Sequence, residues 1–202
     1  TFAMGLSLSV GVMRFVNISH GEFITMASFL GVFASAQLLP GVNPLWLLVP
    51  VAIVFFFVGY GVQALLFNRV VTSPDFLAPI LLTFGFSIVL QNVMFEAFGT
   101  DVRALTAGGL ARQSIQLGSI SIGVLPLITL GLAILFFVVL QLVIARTRFG
   151  RAIRATADNR DVARLMGVTP TRIFNITMGL ALALAAVAGL LLAMRSTFTP
   201  FS

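Results

Sequence analysis

Long apolar runs alternate with short polar breaks along the whole chain, and six of these runs approach the length needed to cross a bilayer. They run from Thr1 to about Val16, from about Glu22 to Leu39, from Leu45 to Phe67, from Leu77 to Phe98, from about Ile120 to Ala145 and from about Ile173 to Met194. A spanning helix needs about 20 mostly apolar residues. No strand-type alternation is sustained enough for a barrel, and backbone in lipid must satisfy its own polar groups, which leaves helices. The pattern predicts an all-α, polytopic membrane helical bundle of about six spans, forming one transmembrane domain over residues 1–202. Both ends of the chain read as cuts within a longer sequence, since Thr1 lies inside an apolar run and Ser202 just past another.

Composition agrees: 59% of residues are hydrophobic and 9% charged, against about 25% charged in soluble domains. Mean hydropathy is +1.10. The net charge of +6 points to topology rather than to nucleic acid, because the Arg residues lie between apolar spans. Seven of the twelve Arg fall in Arg146–Arg172. Placing that segment in the cytoplasm puts Arg14 and Arg69 on the same side and Arg103, Arg112 and Arg195 outside, nine against three, as the positive-inside rule requires. There is no Cys, which excludes disulfides and thiolate metal sites. There is no Lys, which excludes a phosphate-binding Walker A loop, so any ATP must be bound by another chain. One His and six scattered acids make a metal site or an intramembrane enzyme a poor fit, and no Gly-x-Ser-x-Gly elbow is present.

Three features carry chemistry. The first is a predicted amphipathic helix over Asp158–Gly167 in the Arg-rich loop. Asp158 reads as its N-cap, Asp161 suits its first turn, and Gly167 can supply a left-handed end. Val162, Leu165 and Met166 fall at i, i+3 and i+4 on one apolar face, with Arg160 and Arg164 off it. Thr169 and Pro170 then restart a helix. Such a face either lies on lipid headgroups or docks in a partner's groove. The second feature is Asn17-Ile-Ser-His-Gly-Glu22, which holds the only His. It reads either as a solvated surface turn or as a helix break inside the membrane, where His20 and Glu22 would face a path. The third is the polar content of the fourth span, with Thr83, Gly85, Ser87, Gln91 and Asn92. Gln91 can be interhelical glue or can line that path. In the sixth span Ala181, Ala183, Ala185, Ala186, Ala188 and Gly189 suit close helix packing.

Asp161-Val-Ala-Arg-Leu-Met-Gly167 resembles the Glu-Ala-Ala-x-x-x-Gly signature of permeases in ATP-binding-cassette importers, departing at Asp161 and Val162 while keeping charge and apolar character. Gly150-Arg-Ala-x-Arg-Ala with Ala163-x-Leu-x-Gly-Val168 resembles the branched-chain amino-acid permease family in particular. Asn17-Ile-Ser-His-Gly-Glu22, and Leu77-Ala-Pro-Ile-Leu-Leu-Thr followed by Gln91-Asn92, are similar to two further runs of that family. The resemblance implies a permease that pairs with a second homologous permease subunit in a bacterial inner membrane. It also implies two ATPase subunits below and a periplasmic or extracellular substrate-binding protein above, with no cofactor in this chain and ATP on the partners. Asp161, Val162, Ala163, Arg164, Leu165, Met166 and Gly167 would form the ATPase-coupling helix. Asn17, His20, Glu22 and Gln91 are the candidates for the translocation path. A secondary transporter or channel without ATPase partners is the competing reading, and a purely structural scaffold is a third. No residue selects between branched-chain amino acids and urea, amides or other amino acids.

Overall fold

The structure is a computed structural model that describes residues 2–13, 16–38, 43–71, 77–99, 104–105, 114–117 and 120–198. Each of the six predicted apolar segments is helical over most of its length. Helix α1 covers Phe2–Met13, and α2 covers His20–Phe33 and continues through a wider π-turn, Ala34–Leu38. A short 3-10 turn over Pro44–Leu47 leads into α3 (Leu48–Val62), a second π-turn (Gln63–Phe67) and α4 (Asn68–Val71), which together make one rod, Pro44–Val71. Helices α5 (Leu77–Phe98) and α6 (Val124–Arg146) follow. Two short helices, α7 (Arg148–Asp158) and α8 (Arg160–Leu165), precede the long α9 (Pro170–Ala193).

Among the described residues, four helical stretches are long and apolar enough to cross a membrane: Pro44–Val71, Leu77–Phe98, Val124–Arg146 and Pro170–Ala193. The chain is a multi-pass membrane protein. Helix α9 is its centre. Ala181, Leu182, Ala185, Ala186 and Leu190 are fully buried, and α3, α2 and α1 all pack on it. Small residues make this possible, because in lipid the gain from association is close van der Waals packing rather than escape from water. A Cβ on Gly59 would sit 2.7 Å from the Met178 carbonyl oxygen, and one on Gly179 would sit 2.8 Å from that of Phe56. The two glycines therefore let α3 and α9 meet backbone to backbone.

The helix ends sort into two groups, as alternating topology demands. At one end Arg160 reaches the backbone carbonyls of both Met13 and Val71. At the other, Phe29 of α2 stacks on Phe98 and meets Phe198 edge-on, while Leu105 N–H donates to the Ala193 carbonyl. The segments predicted to share the Arg-rich side thus lie together. Arg14, Asp101, Arg103, Arg112 and the Pro40–Gly41 stop fall outside the described residues.

Several expectations need correction. The fifth apolar run starts its helix at Val124, not near Ile120; Ile120–Gly123 is instead a strand paired antiparallel with Ser114–Leu117. Alternating Ser-Ile-Gln-Leu and Ile-Ser-Ile-Gly around Gly118-Ser119 carry that hairpin signal. The segment before the amphipathic piece is itself helical. Thr147 caps α7 by accepting from Gly150 N–H at 3.1 Å, and Ile153 and Thr156 turn inward. Asp158 closes α7, so it is not the cap of the next helix. Asn159 is, with its Oδ1 accepting from Asp161 N–H at 3.0 Å and Val162 N–H at 3.1 Å. The predicted helix Asp158–Gly167 is therefore shorter, Arg160–Leu165.

Candidate functional site

Two groups of polar and exposed residues lie toward the N-terminal half of α9, one at its base and one further along it. The first is α8. Asn159 satisfies its free N-terminal N–H groups. At the other end Gly167 takes φ +80°, the left-handed conformation a Cβ disfavours. That turn lets Gly167 N–H donate to the Arg164 carbonyl and Val168 N–H to the Ala163 carbonyl, both at 3.0 Å. Thr169 and Pro170 start α9 immediately, with Pro170 in its first turn. A six-residue helix fixed at both ends in this way is joined to the base of α9 by only the short Gly167–Thr169 link. Its faces are unequal. Ala163 is buried against the protein, whereas Val162, Leu165 and Met166 are 54%, 87% and 79% exposed. Asp161 and Arg164 form an exposed ion pair at 3.5 Å beside them.

The second group is the Asn17–Glu22 turn. Asn17, Ser19 and His20 are buried at 2%, 0% and 2% exposure, which a solvated surface turn would not produce. Asn17 Oδ1 accepts from Ser19 N–H at 3.1 Å and from Ser19 Oγ at 2.7 Å, closing an Asx turn that satisfies the backbone locally. Asn17 Nδ2 approaches Met178 Sδ at 3.9 Å, in the third turn of α9. Glu22 Oε1 accepts from Gln91 Nε2 at 2.7 Å and from Ser87 Oγ at 3.1 Å, both midway along α5. So α2 starts level with the middle of α5, while Met13, at the end of α1, lies with Arg160 at the base of the bundle. Above the turn a cleft of about 790 Å³ extends from Gly21 past Thr25, Ser28 and Thr129 to Arg195. One face of α2 lines it.

The residues singled out from sequence therefore separate into two places. Asn17, His20, Glu22 and Gln91 gather around the turn, and residues 161–167 form the exposed cap. Five residues outside that candidate set also contribute. Ser87 shares Glu22 with Gln91. Gln63 donates to Asn68 at 3.0 Å and Asn68 to Asn175 at 2.8 Å, a polar chain joining the second π-turn to α9. Arg160, placed off the apolar face, turns inward. Its Nη1 donates to the Val71 carbonyl at 3.0 Å, its Nη2 to the Met13 carbonyl at 2.9 Å, and its guanidinium lies 5.0 Å from the Phe174 ring centre. Among the described residues no group of three or more His, Asp or Glu side chains is placed to hold a metal ion.

A bundle with one small-residue span at its centre, a buried polar turn partway along it and a capped helix at its base defines a polytopic membrane protein of the permease type. Residues 1–202 match the family described as "Branched-chain amino acid transport system / permease component", and the chain belongs to that family. It is similar to the high-affinity branched-chain amino acid transport system permease protein BraD of Pseudomonas aeruginosa, with 28% identity over 202 residues, covering 96% of this chain and 66% of BraD. It is similar also to the corresponding LivH proteins of Salmonella typhimurium and Escherichia coli K12, each 28% identical over 199 residues, covering 94% of this chain and 64% of the relative. The chain thus spans slightly less than two thirds of the length of these curated relatives. No solved structure matches it.

Proposed function

We propose that this chain is the transmembrane domain of a permease subunit in an ATP-driven, binding-protein-dependent importer of branched-chain or related amino acids. The observation that carries the reading is α8: a rigid capped helix at the base of the bundle, with Val162, Leu165 and Met166 exposed together. Apolar side chains gathered at such a position mark a docking surface. Residues 161–167 would seat in an ATPase cleft, and displacement of α8 would be passed to α9 through Pro170. Asn17, His20, Glu22 and Gln91 would line or gate the translocation path, because polar groups at a helix break part-way through a bundle suit a site exposed in turn to each side. The partners are then a second homologous permease subunit, two ATPase subunits that bind and hydrolyse ATP, and a periplasmic or extracellular binding protein. The location is the bacterial inner membrane, with the Arg160 end cytoplasmic. The names of the relatives, each a branched-chain amino acid permease, support the substrate class.

The test is uptake of leucine, isoleucine and valine into proteoliposomes holding the full-length permease, its ATPases and its binding protein. Uptake should require ATP and all the partner chains. Uptake by the permease alone, driven by an ion gradient, would establish the secondary-transporter reading instead. Sidedness is checked separately: single Cys residues at Ser114 and Asn159 should label from opposite faces of the membrane.

A further inference from the structure

Arg160 is one of seven Arg in the Arg-rich segment, and among the described residues it ties the ends of two other helices. Met13 is the last residue of α1 and Val71 the last of α4. The final carbonyls of a helix lack intrahelical donors and carry the negative end of its dipole. Arg160 supplies donors to both, from two different guanidinium nitrogens at 2.9 and 3.0 Å. The face of the same group lies against Phe174, in the second turn of α9, 5.0 Å from the ring centre. A planar fork meets two carbonyls from two separate nitrogens while its face rests on a ring, a spread that the compact ammonium of Lys does not reproduce. Arg160 is also the first residue of α8, directly after the Asn159 cap. One side chain thus joins the exposed helix to α1, to the α3–α4 rod and to α9.

The connection is specific in what it links. Helix α1 leads from Met13 into the Asn17–Glu22 turn, and the α3–α4 rod holds the π-turn whose Gln63 leads through Asn68 to Asn175. A push on α8 alone would reach α9 through the short Gly167–Thr169 link. Through Arg160 it reaches the base of the chain segment that carries the polar turn as well.

We propose that Arg160 is a positioning residue that couples α8 to the polar turn, making displacement of α8 move α1, the α3–α4 rod and α9 together. This rests on the reading of α8 as the ATPase-docking helix. The variants are Arg160→Ala, Arg160→Lys and, as a control in the same Arg-rich segment, Arg151→Ala at an exposed position of α7, each in the full-length permease with its ATPases and binding protein. Three readouts are taken: co-purification of the ATPase, ATP hydrolysed per amino acid imported, and hydrogen exchange of α8 backbone amides in the permease alone. Arg160→Ala should keep the ATPase bound and hydrolysing while ATP used per amino acid rises about tenfold, the scale of losing charge-assisted hydrogen bonds. Arg160→Lys should fall closer to Arg160→Ala than to the unaltered protein, and Arg151→Ala should resemble the unaltered protein. Exchange in α8 should speed up in Arg160→Ala. An unchanged ATP ratio in Arg160→Ala, full rescue by Lys, or loss of ATPase binding alongside coupling would each overturn the assignment. If instead the unaltered permease binds no ATPase, the docking reading fails by itself. In that case unchanged α8 exchange in Arg160→Ala overturns the link from Arg160 to the other helices as well.

Discussion

Helices α6 and α9 are almost the same length, 23 and 24 residues, and α6 is the more apolar of the two. Yet 72% of the central stretch of α9 is buried and none of that of α6. Hydrophobicity alone would have ranked them the other way. What separates them is side-chain size. Helix α9 presents Ala181, Ala185, Ala186, Ala188 and Gly189, whereas α6 presents Leu130, Ile134, Leu135, Phe137, Val138 and Leu142 outward. In water both would be driven inside; in lipid a large aliphatic chain loses nothing by facing acyl tails. The central span of this bundle is therefore recognised by its small residues. Helix α8 adds a third case, since its exposed Val162, Leu165 and Met166 lie at the base of the bundle, with the ends of α1 and α4, and not on the length of a span.

The sharpest attack on this comparison is to enlarge a glycine in each span. Gly179→Leu places atoms where the Phe56 carbonyl and ring already lie, and should destabilise by about 3 kcal/mol or more. A Cβ on Gly131 in α6 meets nothing within 4 Å, and Gly131→Leu should not destabilise by more than about 0.5 kcal/mol. Thermal unfolding in detergent reads both; equal losses would break the size argument. Truncation is the next test. Leu182→Ala, at a fully buried position, should cost about 2–5 kcal/mol, while Leu130→Ala, 57% exposed, should stay within about 0.5 kcal/mol. A smaller and more selective effect is expected at the polar turn. Glu22→Gln weakens the bonds from Ser87 and Gln91 and should lower uptake about tenfold, the weight of a hydrogen bond to a charged group, with the ATPase still bound. Normal uptake would remove Glu22 from the path. The smallest effect belongs to Arg164→Ala, which loses only an exposed ion pair; it should slow ATPase association at low salt and leave uptake nearly unchanged.

Much of this was legible in the chain because membrane helices leave long, unambiguous runs. The six apolar segments, the Ala/Gly face of α9, the Gly167 turn and the exposed faces of Val162, Leu165 and Met166 all follow from local patterns. Misplaced boundaries had local causes as well. Asp158 and Asn159 are both good caps, and only the end of α7 decides that Asn159 is the one used. Helix α7 shows little in sequence because its apolar residues are limited to Phe149, Ala152 and Ile153 among Arg148, Arg151 and Arg154, with Gly150 near its start. The position of the Asn17–Glu22 turn could not be read at all. Arg14 nearby suggests a surface, and only the approach of Met178, Ser87 and Gln91 puts the turn level with mid-helix. The partners of Arg160 are hidden for the same reason: they are the carbonyls of Met13 and Val71, 147 and 89 residues away, and a backbone carbonyl has no signature in sequence.

The account depends most on the claim that apolar exposure at α8 serves a protein partner while apolar exposure on α6 serves lipid. Both are tested by co-purifying the ATPase with the full-length permease carrying either Leu165→Ala with Met166→Ala or Ile134→Ala with Val138→Ala. The first pair should weaken ATPase binding by about 2 kcal/mol or more, roughly thirtyfold, and the second should leave it unchanged. Full ATPase binding by the α8 pair, or equal loss from the α6 pair, would contradict the assignment of α8 as the docking helix.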